Sequence, residues 1–226
     1  MNDYLEIEYA EDKRPLTSYP SKLATHLFEE FSFKPGMKIL EFGCGRAELL
    51  QQFNNLGLQT YAVDGAPSSR QFAEKAGAQF ELYSFKDSKS IAPFKNIRFD
   101  IIFSKSFVEH LPNPIDFAGL CNTLLLPGGI LVNLTPDWES NKDIFFDDLT
   151  HVKPFTRTSM QLFLEYGGFE VIKIKRFRQL PITWQSRGMN LLAALTALIS
   201  RPRAKNKWMR WSRELMIVGA GRKPLE

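Results

Sequence analysis

Apolar residues follow two rhythms along this chain, and the rhythms alternate. From Ser21 to Phe33, Leu23, Leu27, Phe28 and Phe31 recur at the three-and-four spacing of a helix with one buried face. Lys38 to Glu41 is a short apolar run of strand type, and the helical stretch after it, Ala47 to Leu56, is stopped by Gly57. The pair repeats as a strand ending at Asp64 and a helix from Ser68 to Ala76, followed by strands at Phe80 to Tyr83 and Asp100 to Phe103. A helix from Pro114 to Leu125 leads to Gly128-Gly129 and a fifth strand, Ile130 to Asn133. Thr156 to Tyr166, closed by Gly167-Gly168, reads as a helix, Phe169 to Lys175 as the sixth strand and Leu215 to Ala220 as the seventh. Repeated strand-then-helix units require parallel pairing with right-handed crossovers, so the expected class is α/β with a doubly wound sheet.

Composition supports one globular domain over residues 1–226. At 226 residues, 44% hydrophobic and 24% charged, the chain is long enough to enclose a continuous core. Within it, residues 1–35 read as an N-terminal cap, 36–175 with 215–226 as the sheet core, and 176–214 as an inserted segment. The stretch from Met1 to Pro20 carries five acids and no apolar core, which argues against a secretory signal or a membrane span. Two cysteines, Cys44 and Cys121, supply neither a disulfide framework nor a metal cluster, and a reducing cytoplasm is the expected compartment.

The stretch from Met37 to Ala47 carries the first chemical signal. An apolar run meets Glu41 and then Gly43-Cys44-Gly45, where missing side chains let main chain approach a small ligand closely. Asp64 closes the next strand about twenty residues on, the spacing at which such folds present an acid to ribose hydroxyls. Three residues after Gly45, where a dinucleotide fingerprint has its last glycine, stands Glu48. A carboxylate there opposes a phosphate at the helix N-terminus, which points to a nucleoside without pyrophosphate.

Lys38-Ile39-Leu40-Glu41-Phe42-Gly43-Cys44-Gly45 resembles motif I of the class I S-adenosylmethionine-dependent methyltransferases, and Tyr61-Ala62-Val63-Asp64 resembles their second-strand acid. Arg98 to Ser104 is similar to the family's fourth strand, Ser106 to Leu111 to its Glu-His-Leu segment, and Leu124 to Val132 to its Leu-Pro-Gly-Gly turn and fifth strand. The resemblance spans roughly residues 36 to 175. It implies a Rossmann-like, mostly parallel sheet of seven strands with an antiparallel last strand, and S-adenosylmethionine as cofactor, with S-adenosylhomocysteine as product. By the same resemblance, Glu41, Gly43, Cys44, Gly45, Asp64 and Gly65 line the cofactor, with Ser104 and Lys105 at its methyl end. Asp87 is the candidate for the adenine amine, or else a solvated loop acid.

Methyl transfer from a sulfonium needs alignment and dryness more than acid or base help, since the donor is already electrophilic. A base is needed only where the acceptor must lose a proton. Asp147 to Thr156 resembles the His-Val-Arg-Pro-Phe/Tyr-Thr stretch of small-molecule and sugar-pathway methyltransferases, and places His151 as base with Asp148 as its supporter. The other reading is that His151 only fixes this loop while Thr156 caps the next helix. In ubiquinone-pathway O-methyltransferases the segment at Ser106 to His110 holds a divalent metal through two acids and a histidine. Here Ser106 replaces the first acid, and Glu109 with His110 is too small a set for a hard cation, so no metal is expected.

The formal charge is +4, with Arg201, Arg203, Lys205, Lys207, Arg210 and Arg213 crowded into one stretch. That is either a solvated face or a surface for an anionic partner. Nucleic acid is disfavoured, because Ser104-Lys105-Ser106-Phe107 stands where base-methylating enzymes carry an Asn/Asp-Pro-Pro-aromatic tetrad, and neither cysteine follows a proline. Leu191, Leu192, Leu195, Leu198 and Ile199 fall at helical spacing between flanking tryptophans and cations, too short to span a bilayer. Residues 190–213 therefore either meet a membrane surface or, as the favoured reading, form a lid against the sheet or a second subunit in a homodimer. The expected function is methyl transfer to O or N of a small metabolite, such as a sugar or lipid-linked intermediate. The alternative is a catalytically silent subunit that binds the cofactor and regulates or assembles with another protein.

Overall fold

A computed structural model describes Leu5 and residues 15–85 and 92–225. Seven strands, β1 (Lys38–Phe42), β2 (Gln59–Asp64), β3 (Gln79–Leu82), β4 (Phe99–Lys105), β5 (Leu125–Pro136), β6 (Glu170–Arg178) and β7 (Leu215–Arg222), form one sheet. Their order is β3-β2-β1-β4-β5-β7-β6. β1 pairs in parallel with both β2 and β4, and β6 with β7 is antiparallel, as the resemblance implied. Nine α-helices are described: α1 (Tyr19–Glu30), α2 (Glu48–Asn55), α3 (Ser69–Lys75), α4 (Pro114–Leu124), α5 (Trp138–Asn141), α6 (Arg157–Tyr166), α7 (Ile182–Gln185), α8 (Arg187–Ile199) and α9 (Lys207–Arg213). Chain order reverses between β1 and β4, and in open α/β sheets ligands lie outside the carboxyl ends of strands at such a reversal.

By internal contacts the chain forms two compact units. The first takes the described residues up to Ser104, Thr123–Ile130 and Leu225. β1 and β4 are buried on both faces: Ile39, Leu40, Phe42, Ile101, Ile102 and Phe103 have almost no exposure, which is why they read as continuous apolar runs. Phe53 of α2 packs edge-on against Phe103 at 5.7 Å, and Tyr61 against Phe99 at 5.1 Å. Asp100 accepts the Lys38 N–H at 2.8 Å, which ties the start of β1 to that of β4.

The second unit takes Lys105–Asn122 and Leu131–Pro224. Here Phe163 of α6 stacks on Phe117 of α4 and meets Phe155 edge-on at 5.8 Å. Thr156 caps α6 through a reciprocal pair of bonds, its hydroxyl accepting from Ser159 N and its own N–H donating to Ser159 Oγ. Thr156 therefore does what the structural reading of this loop assigned to it.

The pattern placed strands and long helices to within a few residues. The largest offset is in β5, which begins at Leu125 and continues through Pro127-Gly128-Gly129, where the sequence suggested a turn before the strand. Gly128 has φ +77, and a Cβ on Gly129 would lie 2.8 Å from Leu126 O, so the glycines let extended backbone pass a point closed to side chains. Helices α5, α7 and α9 carried no recognised signal; two of them have only four residues.

Candidate functional site

In the first unit the turn after β1 is built as the sequence suggested. Gly43 and Gly45 both have positive φ, at 73° and 50°. The turn's donors point at the end of β2: Gly43 N reaches Val63 O at 2.8 Å, Cys44 N the same oxygen at 3.3 Å, and Gly45 N reaches Asp64 Oδ2 at 2.8 Å. The other Asp64 oxygen accepts from Ala66 N at 2.8 Å. Asp64 thus braces the turn directly. Glu41 and Asp64 are both buried, and Gly65 follows directly on Asp64.

Cys44 sits between these acids. Burial pushes its thiol well above the ordinary range, and the charges of Asp64 and Glu41 push it further, so it stays protonated and unreactive. Two buried carboxylates act on this neutral thiol, a setting that suits a ligand bearing positive charge. Ser104, fully buried, ends the β4 segment of this unit. Asp87 lies outside the described residues.

In the second unit Lys105 leads into a 3-10 turn, Val108–His110, on which the segment at 150–153 is docked. The Glu109 carbonyl accepts from both Val152 N and Lys153 N at 2.9 Å. That docking sets the His110 and His151 rings 4.8 Å apart, and brings Glu109, His110 and His151 together with ligand-type atoms all within 4.8 Å of one another. The sequence reading counted Glu109 and His110 alone in this place. His151 is the third member, and no local signal pairs residues forty positions apart.

Hydrogen bonds assign both imidazole tautomers. His151 Nδ1 lies 2.6 Å from Phe145 O, and a carbonyl only accepts, so this nitrogen carries the proton. Thr150 donates its single hydroxyl proton to Asp148 Oδ1 at 2.6 Å, so at 2.9 Å its oxygen accepts from His110 Nδ1. In a neutral His151 ring, Nε2 then holds the lone pair. Phe145 packs against the His151 ring at 4.5 Å, and it is Phe145 O, not Asp148, that fixes the ring's orientation. Asp148 Oδ2 stands 3.7 Å from His151 Nε2, too long for a hydrogen bond but close enough to stabilise an imidazolium.

The two acids here are tuned in opposite directions. Burial pushes Glu109 up to about 7, against the lowering effects of hydrogen bonds from its own backbone and Thr135. Its Oε2 accepts from Thr135 at 2.9 Å, while Oε1 is buried without a hydrogen-bond partner. Asp148 lies below its ordinary value: partial burial raises it, but the Thr150 hydroxyl and N–H and the two imidazoles outweigh that.

The strand order, the positive-φ turn and the acid at the tip of β2 together define a Rossmann-like fold. A family described as methyltransferase domain matches residues 14–174, and the chain belongs to that family, of S-adenosylmethionine-dependent methyltransferases. A ubiquinone biosynthesis O-methyltransferase of Roseobacter denitrificans is 33% identical over 101 residues, 43% of this chain and 40% of that protein, so the match spans under half of either. Among solved structures, a complex between the Haloferax volcanii Trm112 methyltransferase activator and a methyltransferase aligns with TM-score 0.73 at 14% identity, covering 99% of both chains. A Haemonchus contortus phosphoethanolamine N-methyltransferase, solved with S-adenosylhomocysteine, aligns with TM-score 0.57 at 18% identity over 90% of this chain and 52% of its own. At these identities the structures speak for the fold.

Proposed function

We propose that the protein transfers a methyl group from S-adenosylmethionine to a small-molecule acceptor, at oxygen or nitrogen, with a hydroxyl oxygen favoured. Glu41, Gly43, Cys44, Gly45, Asp64 and Gly65 would hold the cofactor, with Ser104 and Lys105 at its methyl end and Asp87 as the adenine contact. The fit rests on the buried carboxylates Glu41 and Asp64 beside a neutral thiol, which favour a cationic ligand, and on a turn whose glycines leave its main chain bare. The bound cofactor supplies an electrophilic methyl; the protein's part is to align the acceptor and take up its proton.

The observation that carries the acceptor chemistry is the bare Nε2 of His151 beside Asp148. That nitrogen takes the proton of an attacking hydroxyl, the Phe145 carbonyl holds the ring through Nδ1–H, and the Asp148 carboxylate stabilises the imidazolium. A base is needed for a hydroxyl, which is why oxygen is favoured over an already nucleophilic amine. The relatives named as O-methyltransferases lean the same way.

Calorimetry with S-adenosylmethionine and S-adenosylhomocysteine tests the cofactor half: neither binding at millimolar excess ends the reading. A coupled screen that detects S-adenosylhomocysteine across metabolite and glycan extracts tests the other half. Cofactor binding with no turnover on any extract would favour the silent-subunit alternative.

A further inference from the structure

Helix α8 is built inside out relative to an ordinary surface helix. Leu191, Leu192, Leu195, Leu198 and Ile199 are all exposed, Leu198 by 81% and Ile199 by 76%, while the small Ala193 is the buried residue. At 100° per residue the five aliphatics cover an arc of roughly 120°, a continuous apolar stripe turned to solvent. Singly exposed leucines are unremarkable; a stripe of five is a contact surface.

Cations flank the stripe in sequence. Between residues 187 and 214 the sequence holds seven arginines and lysines against one acid, Glu214. Arg210 takes Glu214 at 2.8 Å, while Arg187, Arg201, Lys205 and Lys207 are exposed. A symmetric second copy docked on this face would set its cations against an identical set, which like-charge repulsion opposes. An anionic lipid surface complements both the apolar stripe and its charged border. α8 has 13 residues, and no helix among those described is long and apolar enough to cross a membrane, so the helix would lie in the surface plane.

The same structure ties this element to the loop that carries the candidate base. α8 and α9 are linked by the Trp208 Nε1 to Thr196 Oγ1 bond at 3.1 Å. Arg203 grips Asp147 through two bonds of 2.7 and 2.6 Å, and Arg213 holds Asp143 at 3.0 Å. The loop so held exposes apolar groups of its own: Phe146, Val152 and Leu149, the last by 95%.

We infer that α8, with the basic residues beside it, docks the protein on an anionic membrane surface, and that the acceptor is an amphiphile drawn from that membrane. The second clause rests on the methyltransferase reading; the first does not. The test is flotation of the full chain with vesicles of phosphatidylcholine alone and of phosphatidylcholine mixed equally with phosphatidylglycerol. The expected result is binding to the anionic vesicles only, reversed by high salt. Arg201→Ala and Lys205→Ala should each weaken it about fivefold, the effect of one cation near such a surface. Leu195→Glu with Leu198→Glu should abolish it while leaving the melting temperature and S-adenosylmethionine affinity unchanged, since both side chains are already in water.

Absence of flotation, or equal flotation on neutral vesicles, overturns the docking. So does sedimentation as a dimer that the double glutamate variant converts to a monomer, which assigns the stripe to a second copy. Flotation with turnover of water-soluble acceptors alone overturns the amphiphile. Flotation without S-adenosylmethionine binding leaves the docking standing and removes the methyltransferase reading instead.

Discussion

Gly45 donates its backbone N–H to Asp64 Oδ2 at 2.8 Å, joining the tip of the first strand's turn to the acid at the end of the second. The two residues are nineteen apart in sequence, and the bond makes two motifs one piece of architecture. Asp64 also accepts from Ala66, so its carboxylate satisfies two buried or half-buried donors before any ligand arrives.

Asp64→Ala should therefore do two things. Loss of an acceptor for two main-chain donors costs about 2–3 kcal/mol of stability, and the loosened turn weakens S-adenosylmethionine binding. Thermal melts and calorimetry on the same preparation check both; a variant with native melting temperature and native affinity would contradict the bracing role.

Glu109 should make stability depend on pH. Burial raises its carboxyl from 4.5 to about 7. Between those values the folded protein keeps a proton that the unfolded chain releases, so stability is full below the lower value and falls as pH rises through 7. The loss amounts to about 3 kcal/mol on an order-of-magnitude basis. Glu109→Gln, neutral at every pH, should flatten that decline in melts taken between pH 5 and 8. An unchanged slope would mean that the carboxylate is compensated in solution.

His151→Ala should lower kcat for a hydroxyl acceptor by about 10²–10⁴, the usual worth of a positioned base, with little change in cofactor affinity. A variant of equal activity, with cofactor binding verified, would leave His151 as a loop anchor.

Magnesium should not be required. Two imidazoles and one carboxylate, Glu109, His110 and His151, form a donor set poor in the oxygens a hard cation needs. Turnover after dialysis against a chelator should equal the untreated rate, and a strict magnesium requirement would show that further oxygen ligands complete the group.

Strands and helices were legible because their signals are local. A buried parallel strand is a run of apolar residues, as in Ile39-Leu40, and a helix with one buried face repeats as Leu23 and Leu27 do. Short α5 and α7 escaped notice because four residues are too few to show a period. The turn after β1 was legible for a related reason: positive φ calls for glycine, and the acid at a strand tip falls at a fixed distance along the chain.

The His110 and His151 pair, the Thr150 relay and the Phe145 carbonyl were not legible. His110 lies some forty residues from Thr150 and His151 and meets them where the Glu109 carbonyl accepts from Val152 and Lys153. The exposure of α8 was hidden in the same way. Its leucines show helical spacing whether they face a core or water, and periodicity records that one side differs without saying which way it turns. Residue order thus settled the elements and the glycine turn after β1, where cause and effect lie within a few bonds. The folded chain alone decided which distant side chains meet and which apolar face is left uncovered, because both depend on packing between segments that share no local signal.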